Sequence, residues 1–273
     1  MSLWSTENVG GVVIATYTNP PMNYFCAQGA QELSALIDRW TSPDIRAVVL
    51  TGVPKGPFIT HYSVEELLSY AEDRDSFKQA GTALNDGYHG LLLRLRDLPK
   101  PVIAAMNGDA MGGGFELCLA CDIRVASSGD HRFGLPEVKL GIIPGGSGTQ
   151  RLARLIGAGR AIEFVLRGRV VTPEMALGLG LVHELAADAL TRAREIAAEM
   201  STLSAHAVGM VKRAVYDGID TNLAAGLKIE AQSFVSTMLS DDAVQAMRYY
   251  VSLPTSKRRA WLESSASMPP LAK

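Results

Sequence analysis

Two glutamates stand where a carboxylate needs a reason. Glu116 lies in "GDAMGGGFELCLACD" (108–122), just past three consecutive glycines and inside an apolar run. Glu137 lies in "FGLPEVKLGIIPGGSGTQRL" (133–152), between Pro136 and a second apolar stretch. Burying an ionised carboxylate costs it its water. Two carboxyls in one dry cleft put that cost to use. Burial and mutual repulsion raise at least one pKa, so one group can hold a proton while the other takes one up. Glu137 by itself reads as a surface residue, and only the pairing with Glu116 gives it a role.

The glycines before Glu116 have three readings. A phosphate cradle at a helix N-terminus is one. No Lys-Ser/Thr follows the glycines, and "GDAMGGG" lacks the GxGxxG spacing, so nucleotide binding is disfavoured. A tight turn with close helix–strand packing is the second. An oxyanion hole is the third. There the N–H of a helix-start residue, backed by the helix dipole, faces a developing negative charge. Gly113 precedes Glu116 by three residues, which places both on one side of a helix.

Other chemistry is weaker. "CLAC" has no second ligand pair and reads as two buried structural cysteines, so no metal is expected. "GGSGT" (145–149) carries Thr149 where a nucleophile elbow needs glycine, and reads as a turn into a helix. His61, His89, His131, His183 and His206 are scattered.

Strands and helices must position these groups. "VGGVVIATYT" (9–18), "IRAVVLTG" (45–52), "PVIAAMNG" (101–108) and "IRVAS" (123–127) are predicted strands. Helices are predicted over 28–40, over 63–71 with Ser63 and Glu66 as its capping box, over 76–98, and from Gly114. This alternation predicts an α/β sheet fold. From Gly148 helices dominate, over 148–156, 159–166, 173–179, 186–201, 204–217, 221–239 and 241–251, with "GLVHELA" (180–186) the only late strand. The expected division is a core over 1–199 and a helical region over 200–273. Apolar residues in 240–265 need a surface, either the chain's own core or a neighbouring subunit.

Composition narrows the class. The chain has 273 residues, 47% of them hydrophobic, and a formal net charge of -2. That disfavours a nucleic-acid partner. No run reaches the ~18–20 apolar residues of a membrane span. Three cysteines form no disulfide framework, and the N-terminus has no basic signal region. A cytoplasmic protein is expected.

The segments "PVIAAMNGDAMGGGFELCLACDIRVAS" and "FGLPEVKLGIIPGGSGTQRLARLIGAGRAIEFVLRGRVVTPEMALGLGLVHEL" resemble the crotonase (enoyl-CoA hydratase/isomerase) superfamily. The likeness runs over about residues 9–185 and is most specific over 102–151. It implies a spiral of ββα units with a C-terminal helical oligomerisation region that builds homotrimers, often paired into hexamers. It implies an acyl-CoA thioester substrate and no cofactor beyond coenzyme A, which is part of the substrate. It also implies an oxyanion hole of two backbone N–H groups. By position one donor is Gly113, and the other comes from "PFITHYSVEEL" (57–67), at Tyr62.

That second segment departs from the family's F-x-A-G-A-D-L pattern: Thr60 replaces the alanine before the glycine, His61 the glycine and Ser63 the aspartate, with Tyr62 at the donor position. Glycine tolerates backbone angles that histidine does not. So either the turn is rebuilt or the hole is altered. Glu116 and Glu137 fall on both glutamate positions of the hydratases, whereas isomerases often keep only the later one. The implied reaction is hydration of a trans-2-enoyl-CoA, with Glu116 as base toward water and Glu137 as acid toward C2. The resemblance places the adenine of CoA near Asn23, Tyr24, Phe58, Thr60 and His61. Lys55, Lys257 and Arg258 are candidate phosphate contacts, weighed against solvated surface charge. Isomerisation, thioester hydrolysis, C–C cleavage and non-catalytic acyl-CoA binding remain open alternatives, with a nicotinamide oxidoreductase more distant.

Overall fold

The computed structural model describes residues 2–54 and 56–264, so the candidate Lys55 lies outside the described residues. The chain opens with a hairpin. β1 (Trp4–Val9) pairs antiparallel with β2 (Val12–Tyr17), and Val9 faces Val12 across Gly10 and Gly11. Both glycines have positive φ, the geometry a two-residue hairpin turn requires. The predicted single strand over 9–18 is therefore the second arm of a hairpin. Its partner is polar and five-sixths exposed, so it shows no alternation to read.

After α1 (Ala27–Trp40) come β3 (Ala47–Thr51), α2 (Val64–Glu72), α3 (Arg74–Ala80) and α4 (Ala83–Asp97). The long helix predicted over 76–98 is broken between α3 and α4, where Gly81 sits at φ 61. β4 (Val102–Met106), a short β5 (Ala110–Met111) and α5 (Gly112–Ala120) follow, then β6 (Ile123–Ser127) and β7 (Phe133–Gly134). Residues Glu137–Leu140 form one 3-10 turn. α6 (Gly148–Ile156), α7 (Ala158–Leu166), β8 (Val170–Val171), α8 (Pro173–Gly178), β9 (Glu184–Ala186) and α9 (Ala189–Ser201) complete this part. Val170–Val171 is thus a second late strand, and the strand predicted over 180–186 shrinks to its last three residues.

The main sheet has the order β1-β2-β3-β4-β6-β9, parallel apart from the opening hairpin. Alternation along its strands decides the layers. Val12, Ile14, Ala47, Val49, Ile103, Ala105 and Val125 face α9, which answers with Ala189, Ala193 and Ala197. Spacing by four lines these alanines on one side of the helix and lets it approach closely. Val13, Ala15, Tyr17, Val48, Leu50 and Ala104 face the opposite way, into the core that holds Leu33, Leu92, Phe115 and Phe133. Full burial of each large apolar side chain contributes roughly 1.5–3 kcal/mol. A second small sheet, β5-β7-β8, brackets the start of α5.

The C-terminal helices α10 (Ala205–Ile219), α11 (Leu223–Met238), α12 (Asp241–Ser252) and α13 (Thr255–Glu263) have few buried residues. α10 is nonetheless tied to the sheet. Lys212 Nζ and Tyr216 Oη donate to the Asp122 carboxylate at 2.7 and 2.8 Å, and Gly209 lies against Pro99. α12 and α13 bury no residue.

Candidate active site

α5 begins at Gly112, immediately after β5, and no acidic residue occupies its first turn. The glycines are there for clearance. A Cβ on Gly114 would lie 2.0 Å from the Ile59 carbonyl oxygen, and one on Gly113 would lie 2.9 Å from Tyr62 Cβ. The start of this helix therefore presses directly on the segment Phe58–Tyr62.

That segment is pinned from both sides. Met111 N donates to Thr60 O at 2.7 Å. On the other side Phe25 and Tyr62 form a parallel bridge, with Phe25 N donating to His61 O and Ser63 N to Phe25 O, each at 2.7 Å. In a bridge of this register the Tyr62 N–H turns away from Phe25. It lies 3.6 Å from where a Cβ of Gly113 would be. Among the described residues, neither the Tyr62 N–H nor the Gly113 N–H has an acceptor. The histidine does not force the turn, because Asn23 and Ser147 are the only non-glycine residues with positive φ among those described. His61 stacks on Tyr24 with ring centroids 4.2 Å apart, and its Nδ1–H donates to Tyr62 O at 2.7 Å.

Glu116 projects from α5 and is 2% exposed. Its Oε1 accepts from Gly146 N at 2.8 Å and Gly148 N at 2.6 Å. Burial pushes its pKa up to about 7, while the two amides and the Arg151 charge pull it down. Glu137 opens the 3-10 turn after Pro136 and is 8% exposed. Its Oε2 is buried with no hydrogen-bond partner among the described residues. Burial, and then the nearby Glu116 charge, raise its pKa to about 8. Its Oε1 would lie 3.3 Å from a Cβ on Gly112, so the second carboxyl also reaches the start of α5.

Helix α4 supplies a wall that sequence reading missed. Tyr88 Oη donates to Gly113 O at 2.8 Å, and its ring meets Gly146 so closely that a Cβ there would lie 2.4 Å from it. Asn85 Nδ2 and His89 Nε2 both donate to Gly145 O, at 2.9 and 2.8 Å. These three residues share one helix face, spaced by three and four. That spacing was the available signal, but their hydrogen-bond partners lie 25 to 60 residues along the chain.

The residues expected near the CoA adenine cluster beside the Tyr62 and Gly113 N–H groups. Asn23 is 1% exposed, and its Nδ2 donates to the carbonyls of Tyr17 and Phe58. Thr60 Oγ1 donates to Met22 O at 2.6 Å, and the Phe58 ring is fully buried. Asn23, Phe58 and Thr60 thus offer backbone rather than side chains, whereas Tyr24 and His61 offer a partly exposed aromatic stack. Arg258 lies on α13 with its guanidinium donating to the Val251 and Leu253 carbonyls, and Lys257 beside it is exposed. Cys118 and Cys121 are buried and donate to helix carbonyls at Gly114 and Leu117. Among the described residues no cluster of three or more His, Cys, Asp or Glu could hold a metal. No helix among them is long and apolar enough to cross a membrane.

Solved structures share this fold. An enoyl-CoA hydratase from Bacillus anthracis superposes with a TM-score of 0.83 at 31% identity, covering 91% of this chain and 96% of its own. One from Geobacillus kaustophilus gives 0.85 at 29% identity, covering 92% and 94%. The fold is therefore the crotonase fold, an α/β architecture with C-terminal helices. The family model for enoyl-CoA hydratase/isomerase matches residues 7–257. The short-chain-enoyl-CoA hydratase of Clostridium acetobutylicum is 33% identical over 251 residues, covering 90% of this chain and 93% of that protein. The chain belongs to the enoyl-CoA hydratase/isomerase family, and is an enzyme carrying out a crotonase-superfamily acyl-CoA reaction.

Proposed function

We propose that this enzyme adds water across the 2,3 double bond of a short or medium trans-2-enoyl-CoA. One observation carries the reading: two buried carboxyls flank the start of α5, one satisfied by two amides and the other with a bare oxygen. The thioester oxygen sits against the N–H groups of Gly113 and Tyr62, with the dipole of α5 behind them. That polarises the double bond toward C3. Glu116, held ionised by its amide donors, takes a proton from the water that adds at C3. Glu137, held protonated by burial, donates to C2 of the enolate. The proton balance closes when the two groups exchange it back through water. No cofactor is needed beyond the CoA of the substrate.

CoA enters along the Tyr24–His61 stack, with its adenine against the backbone of Asn23–Tyr24 and Phe58–Tyr62. Phe234, Leu239 and Val251 are more than half exposed, and Val244, Met247 and Val251 line a shallow apolar depression on α12. These faces suit contacts between copies of the chain in a homotrimer or a dimer of trimers, which sedimentation would weigh. The cytoplasm suits the free thiols of Cys26, Cys118 and Cys121.

The test is to incubate the enzyme separately with 2-enoyl-CoA and 3-enoyl-CoA and identify the products. Formation of 3-hydroxyacyl-CoA from the 2-enoyl substrate is expected. Conversion of the 3-enoyl isomer alone would make it an isomerase, and release of free CoA a thioester hydrolase.

A further inference from the structure

Arg151 is a largely buried cation with no ion pair among the described residues. Its Nε donates to Ser147 Oγ at 2.8 Å, one helical turn back along α6. Ser147 is held at φ 86, a left-handed conformation that serine seldom adopts. It is also the residue between Gly146 and Gly148, whose N–H groups both close on Glu116 Oε1. Neither glycine could shift far. A Cβ at Gly146 would meet Glu116 Oε2 at 2.5 Å, and one at Gly148 would meet Glu116 Oε1 at 2.8 Å. The turn that cradles the carboxylate is thus latched by a charged side chain that makes no ion pair among the described residues.

We propose that Arg151 is a positioning residue for the carboxyl pair: it latches Ser147 so that both flanking amides point at Glu116, and its unpaired charge keeps Glu116 the ionised member. This rests on the hydration reading for its catalytic consequence, though not for its geometry.

The surroundings of both groups agree. Glu116 faces Glu137 from the 3-10 turn, Tyr88 from α4, Arg151 from α6 and the backbone amides of the 146–148 turn. Arg151 in turn faces Arg96 and Asp97 of α4, Cys121 after α5 and Tyr216 of α10. Asp97 and Asp220 are both already paired with Arg96, so neither carboxylate is free to pair with Arg151. Tyr88 and the cysteines are held neutral by burial. The Arg151 charge favours the ionised form of Glu116.

The test reads Glu116 directly. Carboxyl-labelled glutamate is titrated by carbon NMR in the free enzyme, with Glu116→Gln identifying the resonance. Arg151→Met should raise the Glu116 midpoint by about one pH unit, and Arg151→Lys by less. Arg151→Gln, which keeps a polar contact but no charge, serves if the methionine variant does not fold. With 2-enoyl-CoA at pH 7, Arg151→Met should lower kcat roughly fivefold to tenfold and change KM less than about twofold. A wild-type midpoint in either folded uncharged variant would overturn the proposal, because a merely structural arginine would leave it unmoved. A shifted midpoint in an enzyme that hydrates no enoyl-CoA would uphold the positioning role and reject the hydration reading.

Discussion

The two carboxyls are buried to a similar degree and treated in opposite ways. Glu116 lies on a nine-residue helix, and a distant turn delivers two amides and a cation to it. Glu137 lies on a single 3-10 turn, with one oxygen near Gly112 and the other bare. Hydrogen bonds to a carboxylate favour its charged form, and burial without them favours the acid. Partnering rather than depth of burial thus sorts the two carboxyls, and the proposed mechanism takes Glu116 as base and Glu137 as acid.

The largest effect should come from removing either member. Glu116→Gln and Glu137→Gln should each lower kcat by about 10²- to 10⁴-fold, the usual worth of a positioned acid or base. Full activity in both would rule out the carboxyl pair as the catalytic groups. Crowding the shared start of α5 should cost about 10²-fold: in Gly113→Ala the new methyl meets Tyr62 and displaces one oxyanion donor, which steady-state kcat/KM would reveal.

Stability should separate the pair further. Glu137 has a folded pKa raised to about 8 from the ordinary carboxyl value of 4.5. Between those values the unfolded chain releases a proton that the folded chain keeps. Its contribution is therefore whole below about pH 4.5 and is lost as pH rises through about 8. Glu137→Gln has no such loss, so thermal melts should show its advantage over the wild type widening across that window, to a few kcal/mol, and flat above it. The matching advantage of Glu116→Gln should stop growing near pH 7, since that group titrates lower. The smallest effect belongs to Tyr88→Phe, which removes one bond to Gly113 O. About 1 kcal/mol, or a fewfold loss in kcat, is expected.

Much of this was legible in the chain. Helix 148–156 and strand 123–127 fall where their patterns place them, and Ser63 caps α2 by accepting from Glu66 N. Glu116, Glu137, Gly113 and Tyr62 come together at the start of α5. Strands of two residues, such as Ala110–Met111 and Val170–Val171, are too short to carry a period. The break at Gly81 is a backbone choice that an amphipathic pattern does not reveal. Asn85, Tyr88, His89 and Arg151 acquire meaning only once the fold brings α4 and α6 around the 145–148 turn. His61 looked incompatible with its turn, yet the turn takes it without positive φ.

The pH dependence of kcat for 2-enoyl-CoA hydration tests the division of labour most directly. The proposed mechanism requires Glu116 ionised, above about 7, and Glu137 protonated, below about 8. A narrow bell centred between these values, losing about tenfold per pH unit on each side, is the predicted result. A rate that stays flat from about pH 6 to about pH 9.5 would contradict it, because neither carboxyl would then be changing its charge where the reaction needs it.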